Sequence, residues 1–161
     1  MEHRFIVVTE GIIMAYTNAL AAYRETRIKT ASQGQLIIML YDEAVRQLDH
    51  SLELLTLNAT GKKEPARIEQ IGKAVIKTQE IISELMVSLD FEQGGDIARN
   101  LFSLYTWFNQ ELLEANIAQD LRRINNVRAM LSDLRSTWVE VIAKTASEGA
   151  NRPAAGINIA G

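Results

Sequence analysis

From Thr30 to Leu55 the chain reads TASQGQLIIMLYDEAVRQLDHSLELL, and Leu36, Ile37, Leu40, Tyr41, Ala44, Leu48, Leu52 and Leu55 recur at steps of three and four. At 3.6 residues per turn this spacing lays them along one side of a helix. Ser32 is a good N-cap, and Gln35 three residues later reaches back to the Ser32 amide. An isolated helix is marginal in water, so a single dry stripe of this length requires helical neighbours to cover it.

The rest of the chain supplies them. Polar residues 58–64, with Gly61, read as a connection, and Pro65 suits the first position of a second helix because its missing N–H is not needed there. That helix runs to about Asp90 with Ile68, Ile71, Val75, Thr78, Ile82, Leu85 and Leu89 on one face. Gly94-Gly95 supplies positive backbone angles for a turn, and Asp96 caps a third helix carrying Ile97, Leu101, Leu104, Tyr105, Phe108, Leu112 and Ala115. Residues 116–119 end it. Asp120 caps a fourth helix with the stripe Ile124, Val127, Leu131, Leu134, Trp138 and Val141, although Arg122 and Arg123 in its first turn oppose the helix dipole.

Short connections join antiparallel neighbours, so the expected fold is all-α, an antiparallel four-helix bundle occupying residues 15–146. Residues 15–23 favour a short additional N-terminal helix with Tyr16, Leu20 and Tyr23 along one side. Residues 1–14 form an extension without a helical stripe, a dispensable segment or an upstream start before Met14. Residues 147–161 are small and polar and read as a flexible tail.

Several function classes recede on composition. The net charge is −3 over 161 residues and the basic residues form no run, which argues against a nucleic-acid surface. No apolar run is long enough for membrane insertion and no leader pattern stands at the start, so the chain reads as cytoplasmic. Cysteine is absent, and His3 and His50 are the only histidines, neither in a Glu-x-x-His pair. The expectation is no metal, no cofactor and no enzyme. The carboxylates Asp42, Glu43, Glu111 and Glu114 make no catalytic pair, and His50 reads as an exposed helix residue.

What remains is apolar surface beyond what a core needs. Ile38, Val45, Ile76, Val87 and Val139 lie off the stripes, and Phe102, Trp107 and Leu113 on the third helix together suggest a surface for a partner. Tyr23 and Tyr41 read as packed rings with hydroxyls at the rim.

In order along the chain, Ala22-Tyr23, Thr30-Ala31-Ser32, Leu36-Ile37-x-Met39-Leu40-Tyr41-Asp42, Ile81-Ile82-x-x-Leu85, Leu89-Asp90, Gly94-Gly95, Ile97-x-x-Asn100-Leu101-x-x-Leu104-Tyr105, Ala115-Asn116 and Leu134-Arg135-x-x-Trp138 resemble the pattern of the FliS flagellar export chaperones. Gln33 stands where the family commonly has proline, and Thr106-Trp107 where it has Asp-Tyr. The resemblance implies a helical bundle without enzymatic activity or cofactor. It implies a protein that holds the disordered C-terminal segment of flagellin in the cytoplasm, prevents premature polymerisation and helps present the subunit to the flagellar export apparatus. It places Tyr23, Leu36, Leu40 and Tyr41 at positions supporting or lining the partner site. Segment 15–23 is expected to cover part of the apolar surface until flagellin displaces it. The competing class is a bundle adaptor that self-associates, as a homodimer, through the same faces.

Overall fold

The computed structural model describes residues 33–151, with side-chain surroundings through Glu148. Four helices follow one another among these residues: α1 (Gln33–Thr60), α2 (Pro65–Val87), α3 (Phe91–Ala118) and α4 (Leu121–Asn151). Helix α1 packs against α2 and α4, and α3 packs against the same two, while the backbones of the diagonal pairs stay apart. The expected all-α antiparallel bundle is the observed fold, with no strand among the described residues.

The stripes meet on the bundle axis. Tyr41 and Leu48 from α1, Ile71 and Ile82 from α2, Phe108 and Leu112 from α3, and Ile124 and Leu131 from α4 are fully buried. Each such side chain stabilises the fold by about 1.5–3 kcal/mol relative to exposure. At the edges the stripes drift. Ile68 and Val141, expected inside, are exposed. Ile142 faces the first turn of α1 in place of Val141, where a Cβ on Gly34 would meet the Ile142 side chain at 2.8 Å.

The helix boundaries differ from expectation at four points, the last of them the end of α4. Helix α1 continues through Asn58 to Thr60, because Asn58 is buried and its Oδ1 accepts from the Glu64 amide and from Arg67 Nη1, both at 3.3 Å. The connection is therefore the short stretch 61–64. Helix α2 begins at Pro65 as expected but ends at Val87. Asp90, placed at the end of α2 by the sequence, instead opens α3, its Oδ1 accepting from the amides of Glu92 and Gln93 at 3.0 Å each. Gly95 does take a positive φ, +49°, but as a kink inside α3. Asp96, expected as the cap, pairs with Arg99. Across the kink Ala98 turns inward and Ile97 is 71% exposed.

The last connection follows expectation. Gln119 adopts the left-handed conformation (φ 52°), and Asp120 Oδ1 accepts from the amides of Arg122 and Arg123 at 3.0 and 3.2 Å. The Arg123 guanidinium, unfavourable for the helix dipole, pairs with Glu114, with Glu111 at 3.4 Å and with Asp120 at 3.5 Å. Helix α4 runs to Asn151, so residues 147–151 belong to it and not to a tail. Ser32, the segment 15–23 with Tyr23, the extension 1–14 and residues 152–161 lie outside the described residues.

Candidate partner-binding site

Two apolar features are left open. The first is a groove of about 300 Å³ at one end of the bundle, where α1 and α3 begin and α2 and α4 approach their ends. Ile37, Leu89, Ile97, Leu101, Tyr105 and Trp138 line most of it. Tyr41 stands behind this wall. Its hydroxyl meets that of Tyr105 and accepts from Trp138 Nε1 at 3.1 Å, so it fixes two groove-lining side chains without being exposed itself. The hydroxyl is thus buried and bonded, not at the rim as the sequence suggested. Burial pushes the Tyr41 phenol upward against the opposing effect of its bonds to Tyr105 and Trp138. The Tyr105 phenol is also pushed up, by burial first and then by Tyr41. Leu36 and Leu40 are buried along the same stretch of α1 and are not among the groove's lining residues.

The second feature runs along the seam between α2 and α3. Gln79 Nε2 donates to the Asn109 carbonyl at 3.0 Å, Asn109 Nδ2 donates to Ser83 Oγ at 3.3 Å, and Gly72 lies against Asn116. This antiparallel register sets Ile76 level with Leu113 and Val87 level with Phe102. All four are exposed: Ile76 by 49%, Leu113 by 44%, Val87 by 57% and Phe102 by 42%. Phe91 extends the strip, its ring 5.9 Å from that of Phe102 in an edge-to-face arrangement. Trp107 is as exposed as Phe102 but belongs elsewhere. At 3.6 residues per turn it lies about 140° around α3 from Phe102, whereas Leu113 lies within about 20°. Trp107 leans on Phe108, 5.8 Å between rings, on the side facing α4. The three aromatic and aliphatic candidates on α3 are therefore two surfaces.

The sequence identified Ile76 and Val87 singly and grouped Phe102 and Leu113 with Trp107; the pairing of α2 with α3 residues across the seam required the register. It missed Phe91 and Ile117, both exposed, and assigned Ile97 to the core. The four carboxylates weighed from the sequence are each engaged by a cation: Asp42 by Arg135, Glu43 by Arg46, and Glu111 and Glu114 by Arg123. His50 is exposed. No group of metal-ligating side chains occurs among the described residues, and none of their helices is long and apolar enough to cross a membrane.

The model for the family described as "Flagellar protein FliS" matches residues 16–145, which spans all four helices up to the later turns of α4. The chain belongs to the FliS family. Among FliS relatives, the flagellar secretion chaperone of Salmonella typhimurium is 34% identical over 121 residues, covering 74% of this chain and 84% of the relative. That of Bacillus subtilis is 26% identical over 129 residues, covering 80% and 90%. A crystal structure of a flagellar chaperone from bacteria superposes with a TM-score of 0.61 at 19% identity, covering 80% of this chain and 98% of that one, a likeness of fold. FliS proteins are flagellar secretion chaperones and not enzymes.

Proposed function

We propose that this chain binds the C-terminal segment of flagellin in the cytoplasm, keeps the subunit from polymerising before export and hands it to the export apparatus. The observation that carries the reading is the strip of level apolar pairs on the α2–α3 seam, Ile76 with Leu113 and Val87 with Phe102, in a member of the FliS family. An amphipathic client helix laid in such a seam buries its apolar face on both walls. The groove beside Trp138 accepts a further side chain. Tyr41, Leu36 and Leu40 hold these walls in place, and Trp107 offers a separate contact on the α4 side. Ordering a disordered segment costs roughly 2–5 kcal/mol of the gross interaction energy, which a long interface offsets.

The test is turbidity of flagellin during seeded filament growth, with and without this chain. The native chain is expected to suppress growth at stoichiometric amounts, and a Val87→Ser/Phe102→Ser double variant to suppress it much less while remaining folded. A chain that leaves growth unaffected and sediments as a tight homodimer belongs instead to the self-associating adaptor class.

A further inference from the structure

On the opposite flank of α2 from the apolar seam, a groove of about 400 Å³ opens between α1 and α2. Arg46, Gln47 and His50 line it from α1, and Gln70, Lys73 and Lys77 from α2. No carboxylate is among the lining residues, on a chain whose net charge is −3. Three cations line it against two carboxylates at its edge, Glu43 and Glu69, so the groove keeps a small positive excess on an acidic chain, an arrangement that steers an acidic partner to one place.

Its rim shows what the groove does to a carboxylate. Glu43 receives two bonds from the Arg46 guanidinium, at 2.8 and 2.7 Å, and one from Gln47 Nε2 at 2.9 Å, with Lys77 Nζ at 3.6 Å. The Arg46 bonds first, then Gln47 and the charges of Arg46 and Lys77, hold its carboxyl down at about 2, against the cost of partial burial. The remaining donors are less committed. Lys73 has one partner, Glu69 at 3.0 Å, in a pair with both side chains at least 70% exposed. Pairs of that kind contribute little and exchange readily for another carboxylate. His50 and Gln70 make no side-chain hydrogen bond among the described residues.

We infer that this groove docks a carboxylate-rich peptide segment of a partner protein, gripping acidic side chains about one helical turn apart. Lys73 and Lys77 lie one turn apart on α2, roughly 6 Å between their Cβ atoms, which matches carboxylates at i and i+4 of a helix. Alternate residues of an extended segment, about 6.8 Å apart, match as well. The donors are spread along two antiparallel helices and do not converge on one point, as a phosphate cradle would require, and three cations are too few for a nucleic-acid backbone. Because the seam and this groove flank α2 on different sides, the chain can hold an apolar client and an acidic partner together.

The test uses the full chain and a fluorescently labelled helical peptide of alanine with glutamates at i and i+4, read by anisotropy at low and high salt. Its glutamine counterpart is the control. Binding is expected for the glutamate peptide, weakened by salt, and about tenfold weaker for a Lys73→Gln/Lys77→Gln variant whose circular dichroism is unchanged. Amide shifts in a nitrogen–proton spectrum are expected at Arg46, His50, Gln70, Lys73 and Lys77. Equal binding of the glutamine peptide, or shifts confined to other residues, overturns the inference. Inorganic phosphate alone is the second arm. If it reproduces the same shifts and displaces the peptide at equal concentration, the groove is a simple anion site and the peptide assignment falls.

Discussion

The hydroxyls of Tyr41 and Tyr105 meet across the diagonal of the bundle, joining α1 to α3, whose backbones stay apart. Trp138 Nε1 donates to Tyr41 Oη at 3.1 Å, so one buried oxygen ties three helices together behind the wall of the end groove. Tyr41→Phe leaves both Tyr105 and Trp138 without that partner and is expected to cost about 1–3 kcal/mol. Tyr105→Phe preserves the indole bond and is expected to cost about 0.5–1.5 kcal/mol. Urea denaturation of the two single variants and the double should show that the losses are not additive. Strict additivity would mean that the two hydroxyls act independently.

The same pair predicts alkaline sensitivity. An ordinary tyrosine ionises near pH 10, and burial raises both phenols above that in the folded chain. The unfolded chain therefore loses its protons first. Stability is intact below about pH 10 and falls as the pH rises beyond it. Tyr41→Phe should flatten that fall relative to its own value at neutral pH. At the acid end Glu43, held at about 2 by Arg46, contributes stability present above the usual glutamate range and lost as the pH drops toward 2. Because the pair is exposed to solvent, Glu43→Gln should change stability at neutral pH by less than about 1 kcal/mol. Thermal melts of both variants across pH read both slopes.

Gly95 carries α3 through a kink at φ +49°. A Cβ there meets no neighbouring atom within 4 Å, so the cost of Gly95→Ala is backbone strain alone, about 1–3 kcal/mol. Gly34→Ala meets Ile142 instead, and trimming that side chain with Ile142→Val should recover part of its loss. Chemical denaturation of these variants separates strain from collision.

Trp107 and Phe108 are adjacent in sequence but differ in depth, 43% exposed against none. Phe108→Ala should cost about 3–5 kcal/mol through the cavity it leaves. Trp107→Ala should cost far less, and Phe102→Ser, which removes a half-buried ring that meets Phe91 edge-to-face, should cost about 1–2 kcal/mol while weakening partner binding. Paired stability and binding measurements distinguish the roles.

The centres of the stripes were legible because burial follows helical period: Leu40, Ala44, Leu48, Val75, Phe108 and Leu131 all lie where the spacing puts them. So were Pro65 and Asp120 as helix starts, since their chemistry acts locally. The ends were less so. Asp90 and Asp96 flank Gly94-Gly95 and both offer an acceptor to free amides; only the packing of Ala98 inward decides for Asp90. The same choice turns Ile97 out, although the period had placed it on the buried stripe. The Tyr41–Tyr105–Trp138 bonds and the Ile76/Leu113 and Val87/Phe102 pairs were invisible because periodicity gives each helix a face and says nothing of its height against a neighbour. The Gln79–Asn109 bond supplies that height.

The most direct test of the account is isothermal titration of the full chain with the C-terminal segment of flagellin from the same organism, accompanied by circular dichroism of the mixture. Saturable binding with a gain of helicity is predicted, and it should weaken at least tenfold in the Val87→Ser/Phe102→Ser variant, a loss of about 1.4 kcal/mol. Absence of binding by the folded native chain, also after removal of residues 1–23, would contradict it.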